Sequence, residues 1–414
     1  MKDNSSAVSV EKARQVMSEW VRPVQETEAI AIREALFRVL AEEITSSIDV
    51  PSGDNAAMDG YAFSASGLDL TVEQTLKIAG AVYAGKLFDG SISPGECVKV
   101  TTGVLMPGGT DTVVQHENIS VKDGYIIIIP NGASPGINVR RRGEDVKSGG
   151  TVLTEGVLLK PAHLGLLASA GLEAVRVKRR LKIAIFSTGD ELTPAGERLL
   201  PGQLYDSNRY SLNAMIERMG CEIMDMGIIP DDPILIRQSF LDASREADAI
   251  ITTGGISVGA ADYTKEVLLE LAEMAFWNIN MRPGRPFAFG KIVSNKNEAA
   301  VFGLPGNPVA VMVSFYFFVR NALLHMMGTR PPLLFSMRVK TLSPLSKRLG
   351  RTEFQRGILA PDGQGNWVVR TTGDQGSAIL SSMVHANCII ILPSDGVAVL
   401  PGETVEVVPL DGLI

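Results

Sequence analysis

Between residues 181 and 330 the chain repeats one pattern, strand then loop then helix, and that repetition limits the possible fold more than any other feature. Leu181–Phe186 reads as a buried strand closed by Ser187-Thr188-Gly189-Asp190-Glu191. Asp206-Ser207-Asn208 caps a helix over Arg209–Met219, Cys221–Gly227 forms the next strand, and Asp231-Asp232-Pro233 opens a helix to about Arg245. A strand at 249–253 and a helix pattern over Tyr263–Met274 follow. Strands around Pro286–Lys291 and Ala300–Phe302 and a helix over Pro308–Met326 complete the unit. Such alternation implies βαβ crossovers, hence a mostly parallel sheet with helices on both faces. Ligands of such sheets bind beyond the carboxyl ends of the strands.

Four polar loops follow strands here: Ser187–Glu191, Pro230–Asp232, Gly254–Asp262 and Gly303–Asn307. Gly254-Gly255-Ile256-Ser257-Val258-Gly259 reads either as a tight strand-to-helix turn capped by Asp262 or as a loop whose N–H groups surround an anion. If the loops share a crevice, it holds Asp190, Glu191, Asp231 and Asp262. Carboxylates alone repel a phosphate, so a divalent cation must bridge them or basic groups must join; Mg²⁺ commonly takes one or two carboxylates together with substrate phosphates. Arg282-Pro283-Gly284-Arg285-Pro286 is the nearest basic supply.

The flanking sequence is of a different kind. A helix is plausible over Val10–Trp20, and Ile32, Ala35, Leu36, Val39 and Leu40 predict another across about residues 28–43. Residues 51–62, rich in Asp and Gly, form a loop read equally well as turn chemistry or as a functional segment. Short strands at Leu76–Tyr83, Glu96–Val104, Thr112–Gln115 and Tyr125–Ile129 mark a small β-rich module. Arg140-Arg141-Arg142 is either a solvated face or an oxyanion grip. Pro161–Gly171 has the punctuation of a helix, and its lone His163 reads as structural. Beyond Pro332 helix signals fade, and Met337–Lys340, Trp367–Arg370, Cys388–Leu392 and Thr404–Val408 predict a small β-domain.

A length of 414 residues predicts two to four domains. The net charge of −7 argues against wrapping a nucleic acid. Cys97, Cys221 and Cys388 lie far apart, which excludes a Cys-rich zinc module and fits a reducing compartment. The amino-terminal stretch lacks the apolar core of a signal peptide. The uncharged span Ala299–Val319 is interrupted by Gly303–Pro308, so it reads as strand, turn and core helix rather than a membrane span. No P-loop, G-x-G-x-x-G or H-E-x-x-H occurs and the four histidines are scattered, so metal or acid–base chemistry must rest on carboxylates.

The motifs PSGDNAAMDGYA (51–62), TTGVLMPGGTDTVV (101–114), RRRGED (140–145), FSTGDEL (186–192), TTGGISVGAADYTK (252–265), RPGRPFAFG (282–290) and GLPGNPVA (303–310) run in order along the chain. With RTEFQRG (351–357) and QGSAILSSMVHAN (375–387), they resemble the MoeA-type molybdopterin molybdenumtransferases, which are similar to the E domain of gephyrin. The resemblance implies a multidomain α/β fold in a four-domain, L-shaped homodimer. Its parts would be a linking domain from 1–50 plus 142–180, an inserted β-rich domain at 51–141, a molybdopterin-binding α/β domain at 181–331 and a β-barrel at 332–414. It implies insertion of molybdate into the dithiolene of adenylylated molybdopterin with Mg²⁺-dependent loss of AMP. By motif position, Asp59, Thr102, Glu191 and Asp262 are implied in catalysis, with Glu191, Asp262 and Asp59 placing Mg²⁺. Gly254, Gly255, Ser257, Gly259, Asp231, Arg282, Arg285, Pro286, Pro305, Gly306, Asn307, Arg141, Arg351 and Ser382 are implied in binding the pterin nucleotide or molybdate. Many relatives carry lysines where this chain has Arg282 and Arg285, which alters oxyanion geometry while keeping charge. A cytoplasmic location, a molybdopterin adenylyltransferase as partner, and no nucleic acid or membrane are further expectations. A non-catalytic scaffold and an adenylyltransferase are the alternatives.

Overall fold

A computed structural model describes residues 7–256, 263–294, 297–329 and 334–410. Two compact units are present: one takes the chain up to Glu28, Phe37–Val39 and everything from Val177, the other Ala29–Leu36 with Leu40–Arg176.

The second unit is built on a six-stranded sheet. Its strands are β1 (Gly60–Phe63), β2 (Gln74–Val82), β3 (Glu96–Val100), β4 (Thr112–Gln115), β5 (Ile119–Lys122) and β6 (Tyr125–Ile128), in the order β4-β1-β3-β2-β6-β5. Period-two alternation supplies both faces. Tyr61, Phe63 and Cys97 enter one core, whereas Ala62, Val98 and Val100 enter the other. Helix Pro161–Ser169 forms where Pro sits at the helix start, as its punctuation predicts.

The helix expected across about 28–43 is not formed. Thr27–Ala31 is a strand and Ile32–Glu34 a single 3₁₀ turn. The apolar spacing was misleading because Phe37 adopts φ 59°, which no right-handed helix accommodates. Ala35, Val39 and Leu40 are nevertheless buried. The helix Val10–Trp20 is present, with Ser9 accepting from the Lys12 N–H as its N-cap.

In the first unit the repeated pattern yields β7 (Lys182–Thr188), β8 (Glu222–Ile229), β9 (Ala249–Thr253), β10 (Glu273–Asn278), β11 (Met281–Arg282), β12 (Pro286–Ser294) and β13 (Asn297–Leu304). All but β11 form one sheet, ordered β8-β7-β9-β13-β12-β10. Its first four strands are parallel, and β12 and β10 extend it antiparallel. Helices Pro233–Glu246 and Tyr263–Leu271 cover one face through Phe240, Ala243, Val267 and Leu268. Asn208–Arg218 and Pro308–Met326 pack on the other. Each large apolar side chain buried here contributes about 1.5–3 kcal/mol. Asp232 caps the Pro233 helix by accepting from the N–H groups of Ile234 and Leu235 at 2.7 and 3.1 Å, as its sequence predicts.

The helix expected to reach Met274 stops at Leu271, and Glu273 begins β10 instead. Pairing decides this: β10 zips onto β12, and Phe276 packs its ring against Phe287 and Phe289. Among the described residues one helix, Pro308–Met326, is long and apolar enough to cross a membrane, and 78% of its apolar window is buried inside the protein.

The chain then forms a closed five-stranded barrel from β14 (Met337–Thr341), β15 (Thr352–Pro361), β16 (Trp367–Thr371), β17 (Cys388–Leu392) and β18 (Thr404–Pro409). The order is β15-β16-β14-β18-β17, with β17 pairing back to β15. β15 was not expected as a strand. Its Glu353, Gln355 and Arg356 are buried beside Phe354, so it shows no apolar alternation to read. Contacts that join barrel and α/β sheet include β11, which runs parallel to β15, and Phe317, which lies 4.6 Å from Phe354 between ring centroids.

Candidate functional site

The parallel strands, taken in chain order β7, β8, β9, β13, lie in the sheet as second, first, third, fourth. The order reverses between β7 and β9, which is where such sheets open a crevice. All four loops expected to be polar leave the carboxyl ends of these strands.

The ends of β7 and β8 bring three carboxylates together. The Asp231 N–H donates to Asp190 Oδ1 at 3.1 Å. Burial, then the charges of Asp190 and Glu191, push the Asp231 carboxyl above the usual carboxylate range. Asp262 lies outside the described residues, as do Ser257 and Gly259. Among the described residues no group of three His, Cys, Asp or Glu side chains is arranged as a metal site.

At the end of β9, Gly254 (φ 87°) and Gly255 (φ 59°) turn the chain away from the sheet. A Cβ on Gly254 would stand 2.3 Å from the Thr188 carbonyl oxygen, so only glycine allows this approach. Buried hydroxyls brace the turn from beneath, Ser187 Oγ lying 3.0 Å from Thr253 Oγ1. At the end of β13, Pro305-Gly306-Asn307 leads into the helix starting at Pro308. Asn208 Nδ2 fixes this wall by donating to the Gly306 carbonyl at 2.7 Å.

Both loops line a cavity of about 500 Å³ at the junction with the barrel. Arg282 and Arg285 line it from one side, and Arg348 and Arg351 from the barrel's loop. Gly254, Gly255, Arg282, Arg285, Pro286, Pro305, Gly306, Asn307 and Arg351, singled out from sequence, thus meet in one space. Arg348, Gln375 and Ser377 also line it without having been singled out.

A second cavity, about 220 Å³, adjoins Arg282, Glu353 and Arg356. Arg356 is 1% exposed. Its Nε donates to Ser382 Oγ at 2.9 Å and its Nη2 to the Gly376 carbonyl at 2.8 Å. No carboxylate among the described residues pairs with it, and burial lowers its pKa to about 10. Ser382, expected beside Arg351, is therefore held by Arg356 and does not line the larger cavity. Arg356 was missed because its motif holds two arginines five residues apart, and only the strand's geometry tells which is buried.

In the other unit, Asp59 precedes β1 and Thr102 follows β3. These strands pair antiparallel with Gly60 opposite Val100, so the two residues meet. Asp59 Oδ1 accepts from the Thr102 N–H at 2.6 Å and from its hydroxyl at 2.8 Å. These two donors, with His116 adding a smaller effect, hold the Asp59 carboxyl below its usual range. Arg141 Nη1 donates to Asp54 Oδ2 at 2.7 Å in an exposed ion pair. Asp54 also accepts from the Arg142 N–H at 2.8 Å.

Residues 8–171 match the family described as MoeA N-terminal region (domain I and II). Residues 184–325 match a probable molybdopterin binding domain, and 338–410 the MoeA C-terminal region (domain IV). The chain is 40% identical to a molybdopterin molybdenumtransferase of Haemophilus influenzae, covering 98% of this chain and 100% of that one. It is 32% identical to one from Nostoc sp., covering 93% and 89%. Among solved structures, a molybdopterin biosynthesis moeA protein of Pyrococcus horikoshii superposes with a TM-score of 0.81 at 28% identity, covering 98% and 100%. With all three regions matched in order and the full length of a curated relative shared, the chain belongs to the MoeA family.

Proposed function

We propose that this protein is a molybdenum insertase that takes molybdate and adenylylated molybdopterin, releases AMP and yields molybdenum cofactor. The observation that carries the reading is the junction cavity, where four arginines face a glycine turn and a helix N-terminus. Such a space suits a phosphate-bearing pterin nucleotide, because guanidiniums and backbone N–H groups both favour phosphate oxygens. The smaller cavity at Arg356 suits molybdate, a tetrahedral dianion for which a buried cation with neutral partners is the missing counterpart.

Glu191, with the motif residues Asp262 and Asp59, would hold Mg²⁺. Asp190, Glu191 and Asp231 alone are not arranged as a metal site, but burial and then the neighbouring charges raise the pKa of the Asp231 carboxyl, so a cation nearby would relieve the three. When bound, Mg²⁺ neutralises phosphate charge during P–O cleavage. Asp231 is the member of the trio suited to accept the proton of the attacking water. Homodimerisation, a cytoplasmic location and supply of substrate by a molybdopterin adenylyltransferase are parts of this reading.

The test is to supply the purified chain with adenylylated molybdopterin, Mg²⁺ and molybdate and to measure AMP release and cofactor formation. Arg356→Met should lower molybdate-dependent turnover by about a hundredfold, the scale of losing one preorganised charge contact. A wild-type chain that binds the nucleotide without ever releasing AMP would instead be a scaffold.

A further inference from the structure

Glu353 is the one carboxylate among the described residues that lines both cavities, and it is 4% exposed. Strand register puts it there: β11 runs parallel to β15 with Arg282 opposite Glu353. Arg282 Nη1 lies 3.9 Å from Glu353 Oε1, an ion pair too long for a hydrogen bond. Among the described residues no hydrogen bond takes the guanidinium's donors, which leaves them for a ligand. The carboxylate is held independently of Arg282, because Oε1 accepts from the Arg348 N–H at 2.9 Å and Oε2 from Gln355 Nε2 at 3.0 Å. Gln355 is itself fixed, donating to the Ser346 carbonyl at 2.7 Å.

A buried negative charge at the lip of an anion site opposes binding. An uncharged amide could still accept the Arg348 N–H through its oxygen, with its NH₂ then facing Gln355 Nε2 in place of that hydrogen bond. The charge thus has a consequence separate from the hydrogen bonds. We propose that Glu353 sets the affinity of this site for its oxyanion substrate. Its fixed charge offsets the surrounding arginines, so that a dianion is held loosely enough to be passed on rather than retained. The inference rests on the oxyanion reading given above. A dianion contacting Arg282 would lie roughly 7 Å from the carboxylate, where even at a strongly screening effective dielectric of about 40–70 the repulsion amounts to about ten- to fiftyfold in binding.

Calorimetric titration of the full chain with sodium molybdate tests this. Glu353→Gln should tighten binding by about tenfold or more, with a steeper weakening as salt is raised. Glu353→Asp, which keeps the charge, should stay near wild-type affinity. If Glu353→Gln does not fold, Arg282→Met and Arg348→Met provide the comparison: loss of Arg282 leaves Glu353 without its offset and should weaken binding more. Unchanged or weaker binding by a folded Glu353→Gln, or equal losses in the two arginine variants, would overturn the proposal while leaving the oxyanion site intact. A wild-type chain that binds no molybdate would overturn the site and the proposal together.

Discussion

Gly254→Ala isolates the turn at the sheet's switch point from everything else in the site. The new Cβ would stand 2.3 Å from the Thr188 carbonyl oxygen, about 1 Å inside the ~3.3 Å at which carbon and oxygen begin to meet comfortably. The obstacle is backbone of the neighbouring strand β7, so no side-chain rotation relieves it. Alanine at φ 87° costs roughly 1–2 kcal/mol, and forcing the strand ends apart adds about 1–3 kcal/mol. Urea unfolding should therefore show a loss of about 2–5 kcal/mol. A displacement near 1 Å at the turn should also lower turnover by about a hundredfold. Gly306→Ala is the control in the same cavity, because nothing lies within 4 Å of its Cβ position, and its stability should stay within about 0.5 kcal/mol of wild type. If Gly254→Ala unfolds at the wild-type midpoint and releases AMP normally, the close approach of β7 and the turn is not what shapes the site.

Asp231→Asn should raise the thermal midpoint by about 1–3 °C at pH 7, the size expected for under 1 kcal/mol in a domain of this size. The sign follows from the carboxyl's raised pKa: ionisation costs the folded state, a cost absent below the unfolded value near 3.9 and complete above the raised one. A lower midpoint for Asp231→Asn at pH 7, without Mg²⁺, would contradict that charge crowding. Thr102→Val removes the hydroxyl donor to Asp59 and leaves the N–H in place. The Asp59 carboxyl should then titrate at higher pH by carboxyl NMR, and an unmoved titration would remove Thr102 as the cause of its depression. Sedimentation velocity should find a dimer, and a fully active monomer would exclude that part of the reading.

The sequence alone determined the α/β unit, because amphipathic periods, N-caps and glycine turns are local properties and each is written within a few residues. β9 and its glycine turn, the Asp232 cap and the Pro308 helix all stand where those signals put them. The motifs likewise marked most of the residues that line the junction cavity. Tertiary structure decided what depends on partners distant in the chain. Phe37 ended a helix that apolar spacing favoured, and pairing with β12 took Glu273–Asn278 into the sheet. β15 could not be read at all, since its buried Glu353, Gln355 and Arg356 are satisfied by groups elsewhere in the chain rather than by any local period. The pairing of Arg282 with Glu353 arises from a two-residue strand laid against a barrel. Hydrophobic burial can be read from a window of residues, but the compensation of buried charge is visible only once the folded chain has brought its partners together.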